Sequence, residues 1–251
     1  MEETPSVRTA QDVERHTLVQ SIVLHLLPGV VNGAVYFALA GPIRRLGYPS
    51  IVALILAGLF VLVPLEGGFL LYQAKRAGTK RLEGIVLYRE PIPLGQYLLW
   101  VLVIFVLSGL VMTLLTPVSG YLETWFDWLP DVLKIEMGLS GEYARPVLIV
   151  TYVLFFIVIS LVAPAVEELY FRGYLLPRMP SLKGWAPVLH SALFALYHTW
   201  TPWMAVARTI GVLPLIYVVQ RKKNIYLGII AHCMLNTIDA VVGVAFILGL
   251  T

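Results

Sequence analysis

The sequence predicts an all-α polytopic bundle of about seven or eight transmembrane helices, and three observations predict it. Hydrophobic residues make up 59% of the 251 positions and charged residues 13%, with a mean hydropathy of +0.82. A soluble domain carries roughly twice that charge fraction, about 25%. Apolar runs fall at about 20–40, 51–73, 96–116, 146–166, 187–200, 203–220 and 225–250, and a spanning helix needs about 20 mostly apolar residues. Strands are excluded from these runs, because an open sheet edge leaves backbone groups unpaired in lipid.

Residues 1–19 are polar and mix Glu2, Glu3, Asp12 and Glu14 with Arg8 and Arg15. A cleaved signal has a cationic start and a short apolar core, so this segment is expected to be an aqueous tail. Residues 20–251 then form one transmembrane domain, with no repeat or linker that marks a second. The last run, 26 residues long, would extend about 39 Å as one helix, and admits one tilted span or two shorter segments.

Basic residues orient the runs, since Lys and Arg concentrate in cytoplasmic loops. Loop 74–95 carries Lys75, Arg76, Lys80, Arg81 and Arg89; Arg178 and Lys183 precede the run at 187; Arg221, Lys222 and Lys223 separate the last two runs. Loop 117–145 holds Lys134 and Arg145 against Glu123, Asp127, Asp131, Glu136 and Glu142. The expected arrangement is multi-pass with a cytoplasmic N-terminus, in the plasma membrane if the cell is prokaryotic. Arg44 and Arg45 oppose it and are outvoted. Tyr121, Trp125, Phe126 and Trp128 in loop 117–145 suit an interfacial segment on the outer face, where aromatic residues favour the headgroup level.

Cys233 is the only cysteine, which excludes an internal disulfide framework and a cysteine-cluster metal site. The net charge is +3 and the basic residues form no single patch, so nucleic acid is not an expected partner. The bilayer is.

Polar clusters interrupt the apolar C-terminal half in three places. In EELYFRG, Glu168 and Arg172 stand at i,i+4, the spacing of a helical ion pair. Glu167 then points about 100° away and is free for another task. His198 follows Phe194 by one turn, and His232 and Asn236 share a helix face that Asp239 extends. Counted from the cytoplasmic ends at 1.5 Å per residue, Glu167, His198 and Asn236 lie about 16 Å deep and His232 about 10 Å. All three clusters can therefore meet at one level, with Pro164 a potential break before Glu167. Ionisable groups inside spans are costly and mark function by default. A lone histidine in an apolar run is a core residue more often than a ligand, and His25 and His190 are read that way. Phe194 alone reads as packing. Arg208 is expected to pair with Asp239 or Glu168, because a buried charge needs a partner.

This set is sufficient for hydrolysis. A carboxylate stripped of water is a stronger base toward a water molecule. A histidine can hold that water or protonate the leaving amine, and a second histidine with an asparagine amide can donate to a developing oxyanion.

The strings EELYFR, FALYH and HCMLN resemble the E-E-x-x-x-R, F-x-x-x-H and H-x-x-x-N motifs of the CPBP family, the CAAX-type prenyl-protein endopeptidases and the bacteriocin-processing or Abi proteins. The resemblance covers about residues 146–240. It implies an intramembrane endopeptidase built as a bundle of about eight helices with a cavity open to the cytoplasm, acting without metal or other cofactor. It further implies Glu167 as the base that activates water, His198 as its partner, His232 and Asn236 as the oxyanion site, and Glu168 with Arg172 as the supporting pair. The implied substrate is a peptide or protein at the membrane, prenylated or not.

Three other readings stay open at this level, one of them a transporter in which the paired carboxylates and histidines relay protons. Glu167, His198 and His232 would suit zinc by ligand type, although no H-E-x-x-H is present. A non-catalytic immunity or scaffold protein could keep the same motifs for binding. Cys233 is a poor nucleophile candidate, because it neighbours His232 in sequence and the two side chains diverge on a helix.

Overall fold

The computed structural model describes residues 13–79, 81–182 and 184–250. Most of the expected polar tail, residues 1–12, lies outside the described residues, as do Lys80 and Lys183 of the charge argument. Among the described residues the chain forms nine helices: α1 Leu18–Arg45, α2 Ile51–Arg76, α3 Leu94–Leu114, α4 Thr116–Glu123, α5 Arg145–Arg178, α6 Ala186–Tyr197, α7 Pro202–Gly211, α8 Leu213–Lys222 and α9 Ile225–Ile247. No strand forms among them; one isolated antiparallel bridge joins Arg89 and Asn224.

Five helices are long and apolar enough to span a membrane, namely α1, α2, α3, α5 and α9. The pair α7 and α8 makes a sixth span if counted together, bent by 42°. The last apolar run is thus one helix and not two. The run at 187–200 gives only the 12-residue α6, because the chain leaves the helix after Tyr197 and turns at His198 (φ −78°, ψ 62°).

Local chemistry sets the helix ends. Thr17 opens α1 with a capping box: its hydroxyl accepts from the Gln20 backbone N–H at 3.2 Å, and its own N–H donates to the Gln20 side chain at 2.9 Å. These bonds satisfy donors that a helix start leaves orphaned. Asn224 opens α9, where its side-chain oxygen accepts from Leu227 N–H at 3.2 Å and its amide donates to Glu90 O and Tyr97 Oη, both at 2.8 Å. A buried polar side chain with this many partners fixes where α9 begins.

α5 runs unbroken through Pro164, so the feared interruption before Glu167 is absent. The turns just ahead, residues 156–162, are widened to a π-helical pitch. Proline lacks an N–H and crowds the carbonyl four residues back, and a wider turn relieves both effects at a cost in freed carbonyls. α9 uses those carbonyls: Asn236 Nδ2 donates to Ile159 O at 3.0 Å, while Ser160 Oγ donates to Asn236 O at 3.1 Å. The widened stretch therefore fixes the register of α9 against α5.

The core is aromatic. Tyr36, Tyr170, Phe171, Tyr174, Phe194 and Tyr197 are all buried in it. α1 closes one side, with Tyr170 Oη donating to Leu24 O at 2.7 Å. Gly29 lets α1 approach the backbone of Tyr197 so closely that any Cβ there would overlap it. His25 and His190 are fully buried and bonded to each other at 2.8 Å, and His25 Nδ1 also donates to Ser21 O at 2.6 Å. Loop 117–145 leaves Tyr121, Trp125 and Trp128 exposed. Arg44 donates to the backbone carbonyl of Asp131 at 3.3 Å within this loop.

Candidate active site

α5 carries two adjacent carboxylates that point to different neighbours, as the helical period requires. Glu168 faces α9 and is fully buried. Its Oε1 lies 3.0 Å from Arg172 Nη1 and accepts from His232 Nδ1 at 2.9 Å. Gly228 makes room for this contact, since a Cβ there would stand 2.6 Å from Glu168 Oε2. Gly228→Ala is therefore expected to push Glu168 off His232 and reduce turnover about 10²-fold, the cost of a misplacement near 1 Å at a reacting centre. Wild-type turnover of this variant in a peptidase assay would show that the contact is dispensable.

Glu167 points toward α6 and α2. Its Oε1 lies 3.2 Å from Tyr197 Oη, and its Oε2 lies 3.9 Å from His232 Nε2. Arg172, buried beneath the two glutamates, places its guanidinium carbon 3.9 Å from the centre of the Phe194 ring, within cation–π range. Phe194 also stands edge-on to His198 and His232, with ring centres 4.9 and 6.2 Å away, and its carbonyl accepts from His198 Nδ1 at 2.9 Å. It does more than fill space: its ring touches both imidazoles and its carbonyl fixes one of them.

The fold thus brings Glu167, Glu168, Arg172, Phe194, His198 and His232 into one buried cluster, with four departures from expectation. His198 sits on the turn after α6, not within a helix, and among the described residues the imidazole in ion-pair range of Glu167 is that of His232. His232 spends Nδ1 on Glu168, so Nε2 is the nitrogen it has left for chemistry. Asn236 gives one amide hydrogen to Ile159 O, leaving the other hydrogen and its oxygen available. Arg208 pairs with neither Asp239 nor Glu168 among the described residues. Its Nη2 reaches Thr201 Oγ1 at 3.2 Å and Met204 Sδ at 3.6 Å, Nη1 is buried without a partner, and its positive charge bears on His198 and Glu167. Asp239, one turn beyond Asn236, is exposed.

Two residues of the cluster were missed from sequence. Glu66, on α2, is fully buried and lies 2.9 Å from Tyr197 Oη, so that Tyr197 stands between Glu66 and Glu167. A signal existed for Glu66, the only charged residue in the apolar run 51–73; an acid inside a span is a functional candidate by default. Tyr197 directly precedes His198 in FALYH and carried no signal of its own.

The arrangement is a carboxylate–imidazole cluster between membrane helices, its two carboxylates buried and its imidazoles half-buried. Residues 149–238 match the family model of the type II CAAX prenyl endopeptidases, Rce1-like. The match spans all three motifs, so this part of the chain is similar to the CAAX-type membrane proteases. No curated protein and no solved structure matches the chain at a significant level.

Proposed function

We propose that the chain is an intramembrane endopeptidase that hydrolyses a peptide bond with water activated by Glu167 and histidine, and needs no metal. The observation that carries this reading is the 3.9 Å gap between Glu167 Oε2 and His232 Nε2. With Nδ1–H donating to Glu168, the neutral imidazole of His232 presents a lone pair at Nε2, and Glu167 Oε2 presents another. Water between them gives one hydrogen to each and aims an oxygen lone pair at a substrate carbonyl. Glu167 takes the proton as the water attacks and returns it to the leaving amine, the usual double duty of a general base. His198, pinned through Nδ1 to Phe194 O, offers Nε2 from the α6 side as the second histidine of the reaction. The spare amide hydrogen of Asn236 is a donor for the oxyanion, an interaction that strengthens as charge develops there.

The substrate is the C-terminal part of a membrane-associated, CAAX-like peptide or protein, prenylated or not, reached from the cytoplasmic side. The metal-free reaction is the one proposed. The test is incubation of the detergent-purified protein with a prenylated C-a-a-X peptide and an unprenylated control, with products weighed by mass spectrometry. Release of a C-terminal fragment is expected from at least one. If neither these peptides nor a library of membrane-associated peptides is cut, the chain is a binding protein and the proposal falls.

A further inference from the structure

Tyr197 Oη lies 2.9 Å from Glu66 Oε1 and 3.2 Å from Glu167 Oε1, and a phenol has one hydrogen to give. If both carboxyls were ionised, one of these contacts would set two acceptors against each other at a fully buried phenol. The contact becomes a bond when one carboxyl carries a proton and donates it to the phenol oxygen.

Partners decide which one. Glu167 has His232 Nε2 3.9 Å from its Oε2, in addition to Tyr197. Among the described residues Glu66 hydrogen-bonds to Tyr197 alone, and its Oε2 is buried without a partner. An unpaired neutral carbonyl oxygen is far less costly in an apolar interior than half of an ionised carboxylate.

Resting on the hydrolytic reading of the site, we propose that Glu66 is a positioning residue that acts through Tyr197. Its protonated carboxyl donates to the phenol oxygen, and the phenol hydrogen is thereby committed to Glu167 Oε1. That bond holds the carboxylate plane so that Oε2 faces His232 and the attacking water. No proton leaves the Glu66–Tyr197 pair during turnover; the chain sets an orientation. α2, which lies outside the matched segment 149–238, thus contributes to the reaction centre.

The prediction separates a donor from a charge. Glu66→Leu leaves Tyr197 free to turn away from Glu167, and kcat should fall about 10²-fold, as expected for a misaligned reactive group, with KM little changed. Tyr197→Phe removes the same bond and should match it. Glu66→Gln supplies an amide donor in place of the carboxyl hydrogen and should restore most of the lost kcat. Thermal melts of each variant identify any that fail to fold; if Glu66→Leu does, Tyr197→Phe and Glu66→Gln decide. Glu66→Gln as inactive as Tyr197→Phe would show that Glu66 is needed as an acid or an anion, and would overturn the proposal. So would wild-type kcat in a folded Glu66→Leu or Tyr197→Phe. Glu167→Gln in the same assay tells the two readings apart: if it remains active, the hydrolytic reading itself has failed.

Discussion

Glu167→Gln is expected to insert and fold normally and to lose turnover by at least about 10²–10⁴-fold, the contribution of a positioned general base. The amide keeps the size of the side chain and an oxygen that accepts from Tyr197, so the bond seen at 3.2 Å survives. What it lacks is the capacity to take a proton from water. Stability should be unchanged or raised, because the variant removes a charge held where solvent cannot reach it. His198→Ala should also lose turnover. Residual activity of Glu167→Gln near the wild-type level would remove Glu167 from the reaction.

Glu168→Gln and Arg172→Leu should show the opposite profile. Both side chains are fully buried and their charged atoms lie 3.0 Å apart. Removing one partner of a buried pair strands the other charge and costs about 3–5 kcal/mol. Glu168 also accepts from His232 Nδ1, so its loss frees the imidazole and lowers activity as well. The double variant leaves no orphan charge and should recover part of the stability, though not the turnover. Chemical denaturation of the four proteins in one detergent measures the cycle. If Glu167→Gln destabilises the protein as much as Glu168→Gln, the division of labour between the two glutamates is wrong.

Much of this site could be read from sequence because its motifs are local. The i,i+4 spacing of Glu168 and Arg172 places them on one helix face wherever that helix lies in the fold. The apolar runs located the spans for the same reason, since twenty residues of hydrocarbon thickness leave few alternatives to a helix. What escaped depends on distance in the chain. Glu66 joins the site only because α2 packs on α5 beside the C-terminal end of α6, and no periodicity within residues 51–73 reports that. The end of α6 escaped too: residues 187–200 are apolar throughout, yet the helix stops at Tyr197 and leaves His198 on a turn. Pro164 is a potential break by sequence, whereas the widened turns ahead of it carry α5 through and leave Ile159 O to anchor Asn236. Arg208 was expected to find an acid and instead lies against Thr201 and Met204 with its charge toward the reacting groups. Glu66 and Arg208 are cases of long-range packing overriding a sound local expectation.

The central claim is that a buried carboxylate, unaided by metal, activates water for peptide hydrolysis. It is tested most directly by assaying the purified protein on a cleavable peptide before and after exhaustive chelation, with the metal content of the same sample measured. The account predicts unchanged turnover after chelation and no stoichiometric zinc. Turnover lost on chelation and restored by zinc alone would contradict it.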